Sequence, residues 1–158
     1  MSRINLDTKQ NISNKKAIDP KEAHVLVVED NLQNLVLVAR LLAFSGIRHY
    51  EWKASGWQVL EFATTLPKLD LVLMDIHLPH EDGYEAMRKL KAEARFSGAR
   101  VVAITADANP SSLKKAQQAG FDGFLGKPID PDKFPDQIKA ILQGQQVWDL
   151  GIHAQNNA

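Results

Sequence analysis

Five polar residues each follow a short apolar run, and together they could carry phosphoryl-transfer chemistry. They are Glu29 and Asp30 after HVLVV, Asp75 after LVLM, Thr105 after VVAI, and Lys127 after GFLG. Three carboxylates placed together repel one another, and oxygen ligands in this number suit Mg²⁺ better than zinc. A carboxylate can also act as a nucleophile and form an acyl phosphate. Lys127 and Thr105 could then neutralise the oxygens of a transferring phosphoryl group.

The elements around these residues explain why they should meet. Apolar runs predict strands at 24–28, 47–52, 69–74, 100–104 and 121–125. Apolar residues at helical spacing, with caps and glycine stops, predict helices at 32–46, 56–65, 84–94, 109–120 and about 130–144. Strands apolar at every residue are covered on both faces, as in parallel sheets. Five β-α units predict a doubly wound α/β sandwich, whose ligands bind beyond the carboxyl ends of the strands.

Composition excludes several classes of protein. The chain has 158 residues, which favours one domain, and its 19 Lys and Arg balance 19 Asp and Glu. This balance argues against a nucleic-acid or membrane-surface partner. The absence of cysteine excludes disulfides, thiolate metal sites and a cysteine nucleophile. No signal peptide or membrane-spanning run is recognisable, so we expect a cytoplasmic protein.

The chain divides into one domain and two tails. Residues 1–22 are polar and lack an apolar period, which predicts a flexible N-terminal tail. Residues 23–144 contain all five β-α units. Residues 145–158 are polar except for four apolar side chains, so we interpret them as a C-terminal tail. We find no repeat and no second domain.

Four motifs occur in order along the chain: HVLVVEDNLQN, LVLMDIHLPHEDGYE, VVAITADA and AGFDGFLGKPI. At this spacing they resemble the receiver domain of two-component response regulators, over about residues 23–143. The resemblance implies a flavodoxin-like three-layer sandwich with a five-stranded parallel sheet in the order 2-1-3-4-5. It also implies a phosphoacceptor switch of a two-component or phosphorelay system rather than an enzyme, with intrinsic autophosphorylation and autodephosphorylation chemistry.

The resemblance assigns the strand ends to one site. The residues it implies for phosphoryl transfer are Asp75 as phosphoacceptor, with Thr105 and Lys127 binding the phosphoryl oxygens. The ligands it implies for Mg²⁺ are Glu29, Asp30, Asp75 and the backbone carbonyl of His77.

Three further roles follow from the resemblance. Phe124 occupies the aromatic switch position, and because it lacks a hydroxyl group we expect it to act by burial of its ring. The Lys127–Pro128 peptide bond is expected to be cis. His77 and Asp107 flank the path of an attacking water, so we expect them to modulate dephosphorylation.

The implied phosphoryl donor is a sensor histidine kinase or a histidine phosphotransfer protein. The implied output surface consists of the fourth helix, fifth strand and fifth helix, and it would bind a downstream protein or a second copy of the chain. The fourth helix has a thin apolar face, essentially Leu113 and Ala116, so we expect it to be less firmly packed. No output domain fits after Gly144. The initiating Met and the native-looking tail favour a stand-alone regulator, and the VEDNLQN opening keeps the receiver of a larger hybrid kinase as the alternative.

Two other functions remain open at this stage. A dehalogenase-like phosphatase would place an acid two residues after the nucleophile, where this chain has His77. A flavodoxin-like redox protein would need a phosphate loop rich in Ser and Thr, whereas Glu29 and Asp30 would repel a flavin phosphate. Trp52 and Trp57 either form an exposed aromatic patch or pack against the second helix.

Overall fold

Alternating strands and helices build a parallel sheet between two helical layers in the computed structural model, which describes residues 16–78 and 82–151. The strands are β1 (His24–Val28), β2 (His49–Lys53), β3 (Leu71–Asp75), β4 (Arg100–Thr105), β5 (Gly123–Gly126) and β6 (Val147–Asp149). The helices are α1 (Leu32–Phe44), α2 (Val59–Ala63), α3 (Gly83–Ala92), α4 (Pro110–Ala119) and α5 (Phe134–Leu142), with a 3₁₀ turn at Ala94–Phe96. Within the described segments, no helix is long and apolar enough to cross a membrane.

In the part of the chain that the structure describes, the sheet has six parallel strands in the order β2-β1-β3-β4-β5-β6. The predicted order of the first five strands is confirmed, but the predicted number of strands is corrected from five to six. The additional strand lies in the segment that we interpreted as a C-terminal tail, of which residues 152–158 lie outside the described part. A three-residue strand with polar flanks has no usable sequence period, and it forms because the edge of β5 offers unpaired backbone groups.

The sheet carries two apolar faces because its central strands are buried on both sides. Every residue of β3 and β4 is buried. One face packs against α1 and α5, through side chains such as Leu42 and Ile138. The other packs against α2, α3 and α4, through Met87, Leu90 and Ala116 among others. The predicted three-layer sandwich is therefore confirmed.

Two helices are shorter than predicted. The second covers Val59–Ala63 rather than 56–65, because Gln58 before it has a left-handed backbone with a φ of 57°. The last begins at Phe134 rather than at 130–132, because the Asp130 carbonyl accepts the backbone N–H groups of Lys133 and Phe134 in a separate turn.

The ends of α4 follow the prediction from sequence. Asn109 caps the helix, with its side chain accepting the Ser112 N–H and its own N–H donated to the Ser112 hydroxyl. Gly120 ends the helix with a φ of 110°, which favours glycine. Ala116 is the one fully buried side chain of this helix, so the thin apolar face is confirmed.

A pair of stacked histidines joins β1 to β2 at the end of the sheet opposite Asp75. The ring centroids of His24 and His49 are 4.6 Å apart, and the two ring planes are nearly parallel, with 9° between them. Burial, the neighbouring His49 and the Lys68 ammonium lower the pKa of His24 below 6.5, against an opposing effect of Asp70. Folding therefore favours the neutral imidazole of His24.

We expect the free energy of unfolding to fall as the pH drops below about 6.5. The unfolded chain then takes up a proton on His24 before the folded chain does, and the stability from the neutral ring is lost as the pH falls through the lower folded pKa. Urea unfolding between about pH 7.5 and pH 5.5 measures this loss. In His24→Gln the free energy of unfolding should fall less between these two pH values. His77→Gln replaces a mostly exposed histidine and should show the same fall as the wild type. Equal pH dependence in wild type and His24→Gln would contradict the assignment.

Candidate functional site

The carboxyl ends of the central strands bring the predicted residues together. Val28 lies opposite Met74 in the β1–β3 register, so Glu29 and Asp75 follow side by side at the same edge. Thr105 is the last residue of β4 and lies opposite Gly126, which Lys127 follows. The parallel direction of all these strands is the reason that residues far apart in sequence share one site.

Three carboxylates form an acidic cluster at this edge. One carboxylate oxygen each of Glu29, Asp30 and Asp75 lies within 4.8 Å of the others. Glu29 and Asp75 are only 3% and 7% exposed, whereas Asp30 is exposed to solvent. Among the described residues, Lys127 pairs its ammonium with two of these carboxylates, so the four groups together carry two formal negative charges. An all-oxygen cluster with this residual charge fits a hard divalent cation such as Mg²⁺.

Lys127 joins two of the carboxylates. Its Nζ lies 2.8 Å from Glu29 Oε2 and 2.8 Å from Asp75 Oδ2. Burial lowers the pKa of Lys127, but hydrogen bonds and charge attraction from Asp75 and Glu29 outweigh it, so the net pKa is raised above 10.5. The lysine is therefore held charged against the predicted phosphoacceptor. The peptide bond from Lys127 to Pro128 is cis, as expected.

Backbone groups of the adjoining loops orient the carboxylates and the threonine. Asp75 Oδ1 accepts the His77 N–H at 2.9 Å, and Glu29 Oε1 accepts the Asn31 N–H at 3.1 Å. Thr105 is fully buried, and its Oγ1 accepts the Asp107 N–H at 3.0 Å. Each of these three side chains thus accepts a backbone N–H from the residue two positions further on.

Two predicted modulators lie on the solvent side of the site, and the predicted switch residue lies inside. His77 Nε2 is 3.9 Å from Asp107 Oδ2, and their side chains are 61% and 67% exposed. Phe124 is fully buried in the face that packs against α2, α3 and α4. The structure brings His77 and Asp107 together beside Asp75, while the roles of all three residues remain predictions.

Sequence reasoning missed two contacts with the site. The Trp52 indole N–H donates to the Glu29 carbonyl at 2.7 Å, so this partly exposed ring also braces the acidic pair. A Cβ atom at Gly83 would lie 2.7 Å from the Ile76 Cα, so only glycine lets α3 start this close to the backbone after Asp75. The glycine in EDGYE was the available signal for the second contact. Trp57 is 58% exposed.

The matching family model and the similar proteins point to the same family. The family model described as "Response regulator receiver domain" matches residues 25–139. The polar-differentiation response regulator DivK of Brucella ovis is 34% identical over 118 residues, which are 75% of this chain and 94% of DivK. The osmosensing histidine protein kinase SLN1 of Saccharomyces cerevisiae is 32% identical over 139 residues. That match covers 84% of this chain but only 11% of SLN1.

A solved structure shares both the fold and part of the sequence. The receiver domain of the sensor histidine kinase PA1611 from Pseudomonas aeruginosa was solved with a magnesium ion in its active-site cleft. It superposes with a TM-score of 0.67 at 30% identity, and the alignment covers 78% of this chain and 98% of that domain.

Proposed function

Because the chain belongs to the response regulator receiver domain family of two-component systems, we propose that it is a switch phosphorylated on Asp75. The observation that carries the proposal is the setting of Asp75 itself. Its carboxylate shares a cluster with Glu29 and Asp30 and lies 2.8 Å from the Lys127 ammonium. The nucleophile, the acidic cluster and a fixed positive charge thus occupy one edge of the sheet.

The geometry supports the following chemistry. An Asp75 oxygen attacks the phosphorus of the donor, the new O–P bond forms, and the bond from phosphorus to the donor breaks with its electron pair leaving on the donor. Lys127, whose Nζ lies 2.8 Å from Asp75 Oδ2, and the Thr105 hydroxyl would bind the phosphoryl oxygens as they arrive. Glu29, Asp30, Asp75 and the His77 carbonyl would hold Mg²⁺, which neutralises phosphoryl charge when bound. Hydrolysis of the acyl phosphate by water returns Asp75 to its free carboxylate.

The partners we propose are a histidine kinase or a histidine phosphotransfer protein as donor. Leu32 and Val36 are 64% and 43% exposed and lie one helical turn apart on α1, directly after the acidic pair. An exposed apolar pair next to the site suits the docking of a donor domain whose histidine must approach Asp75.

For output we propose the surface formed by α4, β5 and α5, which would bind a downstream protein or a second copy. We place this activity in the cytoplasm, since a chain without cysteine is compatible with a reducing compartment.

The function is tested by phosphorylation with a small donor. The protein is incubated with acetyl phosphate and Mg²⁺, the Asp75–phosphoryl bond forms, and acetate leaves. Intact-mass measurement in acid should show a gain of one phosphoryl group, and chelation of Mg²⁺ should suppress it. A chain that gains no mass under these conditions, with its fold intact, would overturn the proposal.

We expect His77 and Asp107 to set the lifetime of the phosphoryl group. Both side chains are exposed beside Asp75 and can orient a water molecule. Positioned acid–base groups contribute about 10²- to 10⁴-fold, and groups that merely orient water contribute less, so we expect changes of about tenfold or below. Wild type, His77→Ala and Asp107→Ala are phosphorylated, the donor is removed, and phosphate loss is followed by mass.

Matched variants away from the site control for general effects. His49→Ala and Asp136→Ala remove the same side-chain types at exposed positions on β2 and α5. They should lose phosphate at the wild-type rate. Normal uptake and wild-type loss in both His77→Ala and Asp107→Ala would show that the lifetime is set elsewhere.

A further inference from the structure

The outer edge of β5 is already occupied in this protein. β6 pairs with it in parallel, with Phe124 opposite Trp148 and Leu125 opposite Asp149. Trp148 is half-buried against the same apolar face that contains Phe124, and Val147 packs against the opposite face. Residues 147–150 therefore cover the strand at the centre of the proposed output surface.

The segment ends against the residue that precedes Lys127. A Cβ atom at Gly126 would lie 2.6 Å from the Leu150 carbonyl carbon and 2.7 Å from the Ala108 Cβ. The Leu150 backbone thus touches β5 where β5 meets the site, and it does so next to the loop that follows Thr105. Gly126 joins this contact to Lys127, the next residue along the chain, so we expect a displacement of Lys127 to be transmitted to the Leu150 backbone.

Polar contacts from α5 hold the same segment. The Gln137 side-chain amide donates to Asp149 Oδ2 at 2.8 Å, and Lys133 Nζ lies 3.9 Å from that oxygen. Asp149 Oδ1 accepts the Gly151 N–H at 2.9 Å. The Lys133 side chain is partly exposed, and a three-residue strand at the edge of the sheet is short, so we expect this segment to open more readily than the central strands.

We infer that the edge of β5 is a strand-binding surface, that residues 147–150 occupy it in the resting protein, and that phosphorylation of Asp75 frees it. The partner it fits is an extended segment with an aromatic residue followed by an acid, matching Trp148 and Asp149. Such a segment adds a strand to β5 while Lys133 and Gln137 bind its acid. This inference rests on the proposed function, since it takes Asp75 as the phosphorylated residue.

Hydrogen exchange of the full-length protein tests the release. Exchange in residues 145–151 is measured with Mg²⁺ alone and with Mg²⁺ and acetyl phosphate, alongside the intact mass. We expect exchange in 145–151 to rise at least about threefold on phosphorylation, since the segment opens without global unfolding. A full mass gain with unchanged exchange in 145–151 would overturn the inference and leave the proposed function standing. No mass gain at all would overturn both.

Variants test whether the side chains of residues 147–150 hold this segment on β5, as opposed to an effect on the whole fold. Trp148→Ala and Asp149→Asn should raise exchange in 145–151 without phosphorylation, by removing the apolar and the polar anchor respectively. Trp57→Ala removes an exposed indole elsewhere and should leave that exchange unchanged. If neither anchor variant changes the exchange, the segment is not held by these contacts and the inference fails.

A labelled peptide with the sequence QQVWDLG, residues 145–151, probes the vacated surface. Fluorescence anisotropy should show that it binds the phosphorylated wild-type protein at least about threefold more tightly than the unphosphorylated protein. The same peptide with Asp149→Lys should bind more weakly, because Lys133 then repels it. Equal affinity for both forms of the protein would contradict release by phosphorylation.

Discussion

Replacing Asp75 by asparagine is expected to abolish the gain of one phosphoryl group from acetyl phosphate and Mg²⁺. An amide oxygen is a much poorer nucleophile than a carboxylate, and the neutral side chain no longer attracts Lys127 or a cation. Removal of a nucleophile typically costs more than about 10²-fold in rate, so labelling should fall by at least that factor. Intact-mass measurement in acid follows the product.

Two comparisons make this result specific to Asp75. Asp136→Asn changes an exposed acid on α5 in the same way and should label like wild type. Thermal unfolding should show that Asp75→Asn is folded, because Lys127 keeps its buried pair with Glu29 when Asp75 loses its charge. Undiminished labelling of folded Asp75→Asn would refute the assignment of the phosphoacceptor.

Replacing Lys127 by methionine is expected to destabilise the metal-free protein by about 3 kcal/mol, since removing one partner of a buried ion pair typically costs about 3–5 kcal/mol. The variant leaves Glu29 and Asp75, which are 3% and 7% exposed, facing each other without a counter-charge. Mg²⁺ should restore part of the loss, because a cation that binds the folded state shifts the unfolding equilibrium. Urea unfolding in chelator and in excess Mg²⁺ measures both effects.

The raised pKa of Lys127 decides the pH at which this experiment is done. Folding raises the pKa of Lys127 above 10.5, so its contribution to stability is complete below that pH and is lost as the pH rises through the folded pKa. Unfolding measured near neutral pH therefore reports the whole contribution. Lys89→Met breaks an exposed pair with Glu85 and should cost less than about 1 kcal/mol. Equal losses in the two variants would mean that Lys127 holds no buried charge cluster.

The candidate site was largely predictable because its residues sit at positions that local sequence marks. Asp75 follows a run that is apolar at every residue, and this pattern is typical of a buried parallel strand. Carboxyl ends of neighbouring parallel strands share one edge, so the type of strand already places Glu29 near Asp75. The ends of α4 were equally predictable, because Asn109 and Gly120 act on backbone groups within one helical turn.

Other features depend on contacts between distant segments, which local patterns do not encode. The short α2 and the late start of α5 are examples, since a period in the sequence does not show where backbone turns at Gln58 and Asp130 interrupt it. The brace from Trp52 to the Glu29 carbonyl likewise joins residues on neighbouring strands.

The sequence by itself determined the α/β class, the order of the first five strands through a family resemblance, and the set of polar residues at the strand ends. Only the tertiary structure decided that Lys127 joins Glu29 and Asp75, and that residues 147–149 form a sixth strand. The physical reason is the range of the interactions. Burial and capping act within a few residues and leave a pattern, whereas an ion pair across three strands and the pairing of a short segment with a sheet edge exist only once the chain has folded.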